Sequence, residues 1–173
     1  MQTFKNLFTV TTSIILFAAI LVGQQPNKEE VPGIRNFTQV DATTACAGAT
    51  SPEAITELKR RGFTSIINFR TESENGATVE AGTQAALAAG LKYFHIPFRT
   101  ATKEAADEFL KVVSDPANQP VFIHCGSGNR VGGMWLIKRV QLDGWDVETA
   151  TAEAETIGLR SPTLKEFVLD YVR

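Results

Sequence analysis

The sequence reads as an α/β domain with a mainly parallel central sheet flanked by helices. Three observations carry that reading. Short β-branched and aromatic runs, Thr64-Ser65-Ile66-Ile67-Asn68-Phe69 and Val121-Phe122-Ile123 among them, alternate with helical patterns, the order expected when crossover helices join parallel strands. The helical patterns carry start and stop signals: Ser-Pro or Asp where they open, Gly where they close. One of them, residues 131–142, is apolar nearly all round and belongs inside. A chain of 173 residues is long enough for one domain with a sizeable core.

The amino terminus reads as targeting sequence. Lys5 gives a weakly positive start, residues 7–22 are mostly apolar, and Gln24-Gln25-Pro26-Asn27-Lys28-Glu29-Glu30 turns abruptly polar. That layout predicts a signal peptide or an N-terminal membrane anchor over residues 1–23. Gly23 is small enough for a cleavage site, but Leu21 two residues earlier is large. The absence of a cysteine after the apolar run argues against a lipoprotein anchor. Thr9, Thr11, Thr12 and Ser13 dilute the segment, which is short for a span. Residues 24–35 read as a linker and residues 36–173 as the folded domain. The expected location is outside the cytoplasm, periplasmic or extracellular. Any membrane association would run through residues 7–23, if they stay attached.

Within the domain, Phe37-Thr38-Gln39-Val40 and residues 43–47 are short strand candidates. Ser51-Pro52-Glu53 starts a helix with Ile55 and Leu58 inward, and Gly62 ends it. Residues 64–69 form a strand and residues 70–76 a polar loop. The alanine-rich stretch 77–89 is a helix closed by Gly90. Lys92-Tyr93-Phe94-His95-Ile96 is a strand stopped by Pro97. A helix over residues 102–114 turns Ala106, Phe109, Leu110 and Val113 to one face. Beyond the buried helix, Asp143-Gly144 turns the chain and Asp146 caps a helix with Val147, Ala150, Ala154 and Ile157 inward. Ser161-Pro162 opens the last helix, with Leu164, Phe167, Val168 and Tyr171 inward.

The chemistry concentrates in Val121-Phe122-Ile123-His124-Cys125-Gly126-Ser127-Gly128-Asn129-Arg130-Val131, a strand, a glycine-rich loop and a helix start. Gly126 and Gly128 allow positive φ and inward-turned N–H groups, which together with a helix N-terminus form a cradle for an anion. A thiol at Cys125 is favoured as thiolate there, and the planar fork of Arg130 can hold two oxygens of an oxyanion. Ligands of such folds bind at the carboxyl ends of the strands, where Cys125 lies. The net charge of −2 offers no basic footprint for nucleic acid. Cys46, Cys125, His95 and His124 make no zinc-spaced cluster, so neither a metal nor another cofactor is implied.

His124-Cys125 with Gly128 and Arg130 resembles the signature loop of the cysteine-dependent phosphatase superfamily, dual-specificity branch. The segments Ala49-Thr50-Ser51-Pro52-Glu53-Ala54-Ile55, Gly62-Phe63-Thr64-Ser65-Ile66-Ile67-Asn68-Phe69-Arg70 and Gly90-Leu91-Lys92-Tyr93-Phe94-His95-Ile96-Pro97 are similar, in order and spacing, to the bacterial beta-lactamase-hydrolase-like, phosphatase-like domain family. The resemblance implies a dual-specificity-phosphatase-like fold in which Cys125 is the nucleophile and Arg130 the oxyanion ligand. The phosphoryl group would pass through a phosphocysteine.

The chain departs from the phosphatase pattern at three points. Four residues rather than five separate Cys125 from Arg130, a spacing shared with the close family and with rhodanese sulfurtransferases. Pro97-Phe98-Arg99-Thr100-Ala101-Thr102 holds no acid where such phosphatases carry an aspartate to protonate the leaving oxygen. Val131 stands where a hydroxyl residue often follows the arginine. Glu72, Glu74, Glu104 and Asp107 are the carboxylates nearest in sequence.

Gly126, Ser127, Gly128 and Asn129 are the expected anion-binding residues. Arg99 either adds a second positive charge over the site or is a surface charge. His124 is expected to order the loop from behind. Asn68 and Arg70 either bond the cysteine loop or face solvent, and Cys46 is either a resolving thiol for Cys125 or simply buried.

Three functions remain open: a phosphomonoester hydrolase acting on a phosphorylated small molecule or phosphoprotein, a sulfurtransferase working through a Cys125 persulfide, and a non-catalytic anion binder. The export reading is checked by a reporter enzyme active only outside the cytoplasm. Fused after Arg35, it is expected to be active, and an inactive fusion that fractionates with cytosol refutes the signal.

Overall fold

The computed structural model describes residues 26–173. The signal or anchor expected over residues 1–23 lies outside the described residues. Six strands form one sheet: β1 (Asn27–Val31), β2 (Ile34–Gln39), β3 (Thr44–Ala47), β4 (Ser65–Asn68), β5 (Lys92–His95) and β6 (Val121–His124). Their order is β1-β2-β3-β6-β4-β5. β3, β6, β4 and β5 run parallel, and β1 and β2 add an antiparallel flank. The mainly parallel α/β sheet is therefore present. All four residues of each of β3, β4 and β6 are buried, which is why these strands lack polar alternation.

The hairpin of β1 and β2 takes in residues the sequence assigns to a linker. β1 is Asn-Lys-Glu-Glu-Val with its first four residues exposed. A polar edge strand is held by backbone pairing to its neighbour, so no apolar pattern marks it. Among the described residues, the sheet thus already includes Asn27–Val31, ahead of Asn36.

Helices cover both faces. On one side, α1 (Ile55–Arg60) and α2 (Val79–Ala88) close over Phe37, Ala45, Ile66 and Phe122. On the other, α3 (Lys103–Ser114), α4 (Asn129–Gln141), α5 (Val147–Ile157) and α6 (Pro162–Tyr171) enclose Ile67, Phe69, Ile123 and Trp135. Asp146 and Ser161 act as the helix starts read from the sequence, accepting from the Thr149 and Leu164 N–H groups, whereas Ser51, expected as an N-cap, makes no side-chain cap bond. Thr102 caps α3 by accepting from the Ala105 N–H. Ile55, Leu58, Ala106, Phe109, Ala150, Ala154 and Ile157 are buried as expected. Val147 is not: it is 39% exposed, because it follows the Asp146 cap directly, before the packed face of α5 begins.

α4 positions the site. Val131 to Ile137 are all buried, the environment its all-round apolar sequence requires. A Cβ on Gly132 would lie 2.5 Å from the Ala154 carbonyl oxygen and 2.9 Å from the Leu159 nitrogen, and one on Gly133 3.0 Å from Leu164. The absent side chains let α5 and α6 pack directly against α4. Its last turn is fixed by Arg139, whose Nε donates to Glu153 at 2.7 Å and Nη1 to Asp143 at 2.9 Å. The indole of Trp135 donates to the same Glu153 carboxylate at 2.7 Å.

Gly132→Ala should therefore push α5 from α4. We expect a loss of about 1–3 kcal/mol, the usual cost of overpacking a core, measured by urea unfolding. Unchanged stability would show that the backbone contact is not tight.

Candidate active site

β3 and β4 pair with β6 in step. Ala47 and Asn68 are both level with His124, so three parallel strands end together. The chain leaving β6 is hemmed by those leaving its neighbours: the Cys125 N–H donates to the Ala47 carbonyl at 3.3 Å, the Ala49 N–H to the Gly126 carbonyl at 3.1 Å, and the Phe69 N–H to the His124 carbonyl at 3.0 Å. Cys125 thus lies at the carboxyl end of the central strand, 1% exposed. The Gly128 N–H donates to its Sγ at 3.2 Å.

Gly128 is the N-cap of α4, at φ 95°, and a Cβ there would stand 2.8 Å from the Ile157 carbonyl oxygen. Both reasons require glycine. Gly126, which also allows positive φ, does not adopt it. Because Gly128 caps the helix, α4 starts at Asn129, two residues before the sequence pattern places it. The N–H groups of Asn129 and Arg130 are in its first turn, with no intrahelical acceptor.

The guanidinium of Arg130 is held from three directions. Nη1 donates to the carbonyls of Phe69 and Phe98, both at 2.8 Å, and to Glu74 Oε1 at 2.7 Å. Nη2 donates to Glu74 Oε2 at 2.7 Å. A guanidinium has five donors, so Nε and one Nη2 hydrogen remain for a ligand. Burial would lower the proton affinity of Arg130, but hydrogen bonding to Glu74 and the nearness of Cys125 outweigh it, and the net shift is upward.

Glu74, one of the nearby carboxylates in the sequence, is the ion-pair partner of Arg130, a role the sequence does not disclose. Hydrogen bonds from Arg130 hold its carboxyl down at about 2, against an opposing effect of burial. It is ionised at neutral pH and cannot supply a proton there. Its position is built by the loop of residues 70–76. The Thr71 N–H donates to Glu74 Oε1 at 2.8 Å, and Arg70 donates to the Gly76 and Asn75 carbonyls at 2.7 and 2.8 Å. Arg70 and Asn68 therefore neither bond the cysteine loop nor face solvent. Asn68 accepts from the Arg70 N–H and donates to the Tyr93 hydroxyl.

The other predicted residues have varied fates. Asn129 turns its side chain away from the anion site: Oδ1 accepts from the N–H groups of Arg160 and Ser161 at 2.7 and 2.9 Å, tying the loop to the link between α5 and α6. Ser127 is exposed at the loop's outer edge. Arg99 donates to the Ser73 hydroxyl at 3.1 Å. It lines a cleft of about 510 Å³ with Arg130, Phe98, Leu164, Phe167, Glu166 and Asp170.

His124 is buried under the sheet on the α2 side, stacked on Phe122 at 5.8 Å, and its Nδ1 has no partner. It makes no hydrogen bond to the cysteine loop among the described residues, so it does not order the loop in that way. Burial, and then the charge of Arg70, lower its pKa to about 3, leaving the ring neutral.

Cys46 is a free, fully buried thiol. Burial, and then the Glu153 charge, push its pKa well above the ordinary thiol value, which does not suit a resolving thiol. Asp107 is engaged by Lys103 and the Tyr171 hydroxyl. No cluster of metal-ligating side chains occurs among the described residues.

A central, mainly parallel sheet, with a cysteine at the end of its middle strand and an arginine in the first turn of the next helix, is a phosphatase-like domain, dual-specificity-like in fold. Residues 34–141 match the family described as beta-lactamase hydrolase-like protein, phosphatase-like domain, and the chain belongs to that family. Solved structures share the fold. A putative phosphatase from Shewanella putrefaciens is 20% identical with a TM-score of 0.69, covering 80% of this chain and 92% of that one. The core catalytic domain of the PP-IP phosphatase Siw14 from S. cerevisiae is 20% identical with a TM-score of 0.64, covering 77% and 83%. TpbA from P. aeruginosa is 19% identical with a TM-score of 0.63, covering 84% and 88%. No curated protein matches the sequence.

The Glu74 carboxyl titrates far below its ordinary 4.5 when folded. A depressed folded pKa stabilises the native state above the unfolded pKa, and that contribution is lost as pH falls toward the folded one. The stability gap between the parent and Glu74→Gln should therefore close between about pH 4.5 and 2, from at most about 3 kcal/mol at neutral pH. Urea unfolding across that range measures it, and a gap constant with pH would refute the ion pair.

Proposed function

We propose that this domain hydrolyses phosphomonoesters through Cys125. The observation that carries the reading is the pairing of a buried thiol, hydrogen-bonded by the Gly128 N–H, with an arginine that Glu74 and two carbonyls hold in place while Nε and one Nη2 hydrogen stay free. The Cys125 thiolate attacks phosphorus, the P–O bond to the leaving group breaks, and a phosphocysteine forms. Water then attacks phosphorus, the S–P bond breaks, and inorganic phosphate and the thiolate return. Arg130 and the first-turn N–H groups of α4 stabilise the charge on the non-bridging oxygens in both steps. The relatives support this chemistry: a TpbA variant has been solved in complex with pTyr, and Siw14 is a PP-IP phosphatase. The substrate is a phosphorylated small molecule or a phosphoprotein, and the apolar run of residues 7–22 ahead of a polar stretch supports a location outside the cytoplasm.

Proton delivery is the weak step. Residues 97–102 hold no acid, and Glu74 is ionised. Without a general acid the leaving oxygen departs with its negative charge, a deficit of about 10²–10⁴-fold that activated leaving groups escape. Hydrolysis of aryl phosphates should thus fall steeply as leaving-group pKa rises, alkyl phosphates should hardly react, and Cys125→Ser should abolish turnover. A flat series would place a proton donor on the cleft wall, where Glu166 and Asp170 are the carboxylates.

The four-residue spacing between Cys125 and Arg130 favours a second reading, sulfur transfer through a Cys125 persulfide. Thiosulfate with cyanide tests it in parallel. Turnover there, with none on any aryl phosphate, would replace the phosphatase reading.

A further inference from the structure

A second cleft adjoins the Arg99 cleft, sharing Asn129 and Ser161 with it. It has a volume of about 500 Å³, and its wall includes Ser127 and Asn129 of the loop together with Lys28, Asn36 and Arg160. We propose that this cleft is a second anion subsite, where Lys28 and Arg160 receive a further phosphate of a substrate whose scissile phosphate lies over Cys125. The proposal rests on the phosphatase reading and narrows its substrate class to bisphosphorylated molecules.

Charge is the first argument. Two cations line the cleft and no carboxylate does. The Lys28 ammonium donates to the uncharged Asn36 Oδ1 at 3.0 Å. Arg160 Nη1 donates to the main-chain carbonyls of Glu155 and Leu159 at 2.5 and 2.7 Å, which leaves Nε and Nη2 for a ligand. The nearby Glu155 carboxylate is taken by Lys165 at 2.9 Å and does not line the cleft. In the Arg99 cleft, by contrast, Glu166 and Asp170 balance Arg99 and Arg130, beside the apolar walls of Phe98, Leu164 and Phe167. That side suits an uncharged organic group, and a second phosphate placed there would meet two carboxylates.

Position is the second argument. The brackets that hold the loop also hold the cations. Asn36, at φ 55°, donates from Nδ2 to the Ile157 carbonyl at 2.6 Å while accepting from Lys28. Asn129 Oδ1 accepts from the Arg160 N–H at 2.7 Å. Both cations are thus fixed relative to Cys125 before any ligand arrives, so ordering them costs little on binding.

The test is competition against aryl phosphate hydrolysis by alkanediol bisphosphates of graded length, with the matching alkyl monophosphates as reference. Calorimetric titration of Cys125→Ser with the same compounds runs alongside. At the best length, a bisphosphate should bind about tenfold tighter than its monophosphate, the scale expected of two partly exposed charge contacts. Lys28→Gln with Arg160→Gln should abolish that preference, while kcat/KM for the aryl monophosphate stays within about twofold, since neither residue contacts the scissile group.

Equal affinity at every length, or a preference that survives the double variant, overturns the subsite. Hydrolysis without the preference would leave the phosphatase reading standing alone. Preference in Cys125→Ser, with no hydrolysis by the parent protein, would leave the subsite and remove the phosphatase.

Discussion

One guanidinium holds the ends of the central strands in a fixed relation. Arg130 reaches the Phe69 carbonyl beyond β4, the Phe98 carbonyl beyond β5 and the Glu74 carboxylate, from a helix that begins just after β6. A partly buried ion pair is weak support for stability, because desolvating the two charges costs about as much as their attraction returns. Its value lies in placement. Two carbonyls and both carboxylate oxygens fix the plane of the fork, and the donors left over can point in one direction only. In the proposed chemistry, an oxyanion arriving at the loop would meet a guanidinium that has no rotamer search left to make.

α4 is anchored by an arginine at each end, with an apolar middle. Arg130 ties its first turn to the loops of the site, and Arg139 ties its last to Glu153 and Asp143 between the rings of Trp135 and Trp145. Between them, Gly132 and Gly133 admit α5 and α6 to close contact. α5 in turn ends at Ile157, whose carbonyl accepts from Asn36 and would meet any side chain at Gly128. The geometry of the loop is thus set through core packing as well as through hydrogen bonds at the site.

The parts of this arrangement that sequence can disclose are those with local causes. Ile66, Ile67, Val121, Phe122 and Ile123 announce buried strands by composition, Asp146 and Ser161 announce helix starts by capping chemistry, and Cys125, Gly128 and Arg130 announce the loop by spacing. What stays hidden has a distant cause. Glu74 lies 56 residues before Arg130, and nothing in Arg70-Thr71-Glu72-Ser73-Glu74 separates it from Glu72. Only the adjacency of β4 and β6 makes it a partner. Asn129 looks like a loop ligand until the link between α5 and α6 is seen to need an acceptor. His124 follows a strand pattern that puts it on the α2 side, yet its place beside the cysteine invites a role at the loop.

β1 has a consequence for how these molecules meet one another. Among the described residues it is the outermost strand of the sheet, and an open strand edge is a template on which another chain can add. Lys28, Glu29 and Glu30 follow in succession along it, all exposed, so an incoming strand would have to bring charged side chains of both signs into register and strip them of water. The polar character that hides β1 from sequence patterning also makes its edge a poor template for a strand from another copy of the domain.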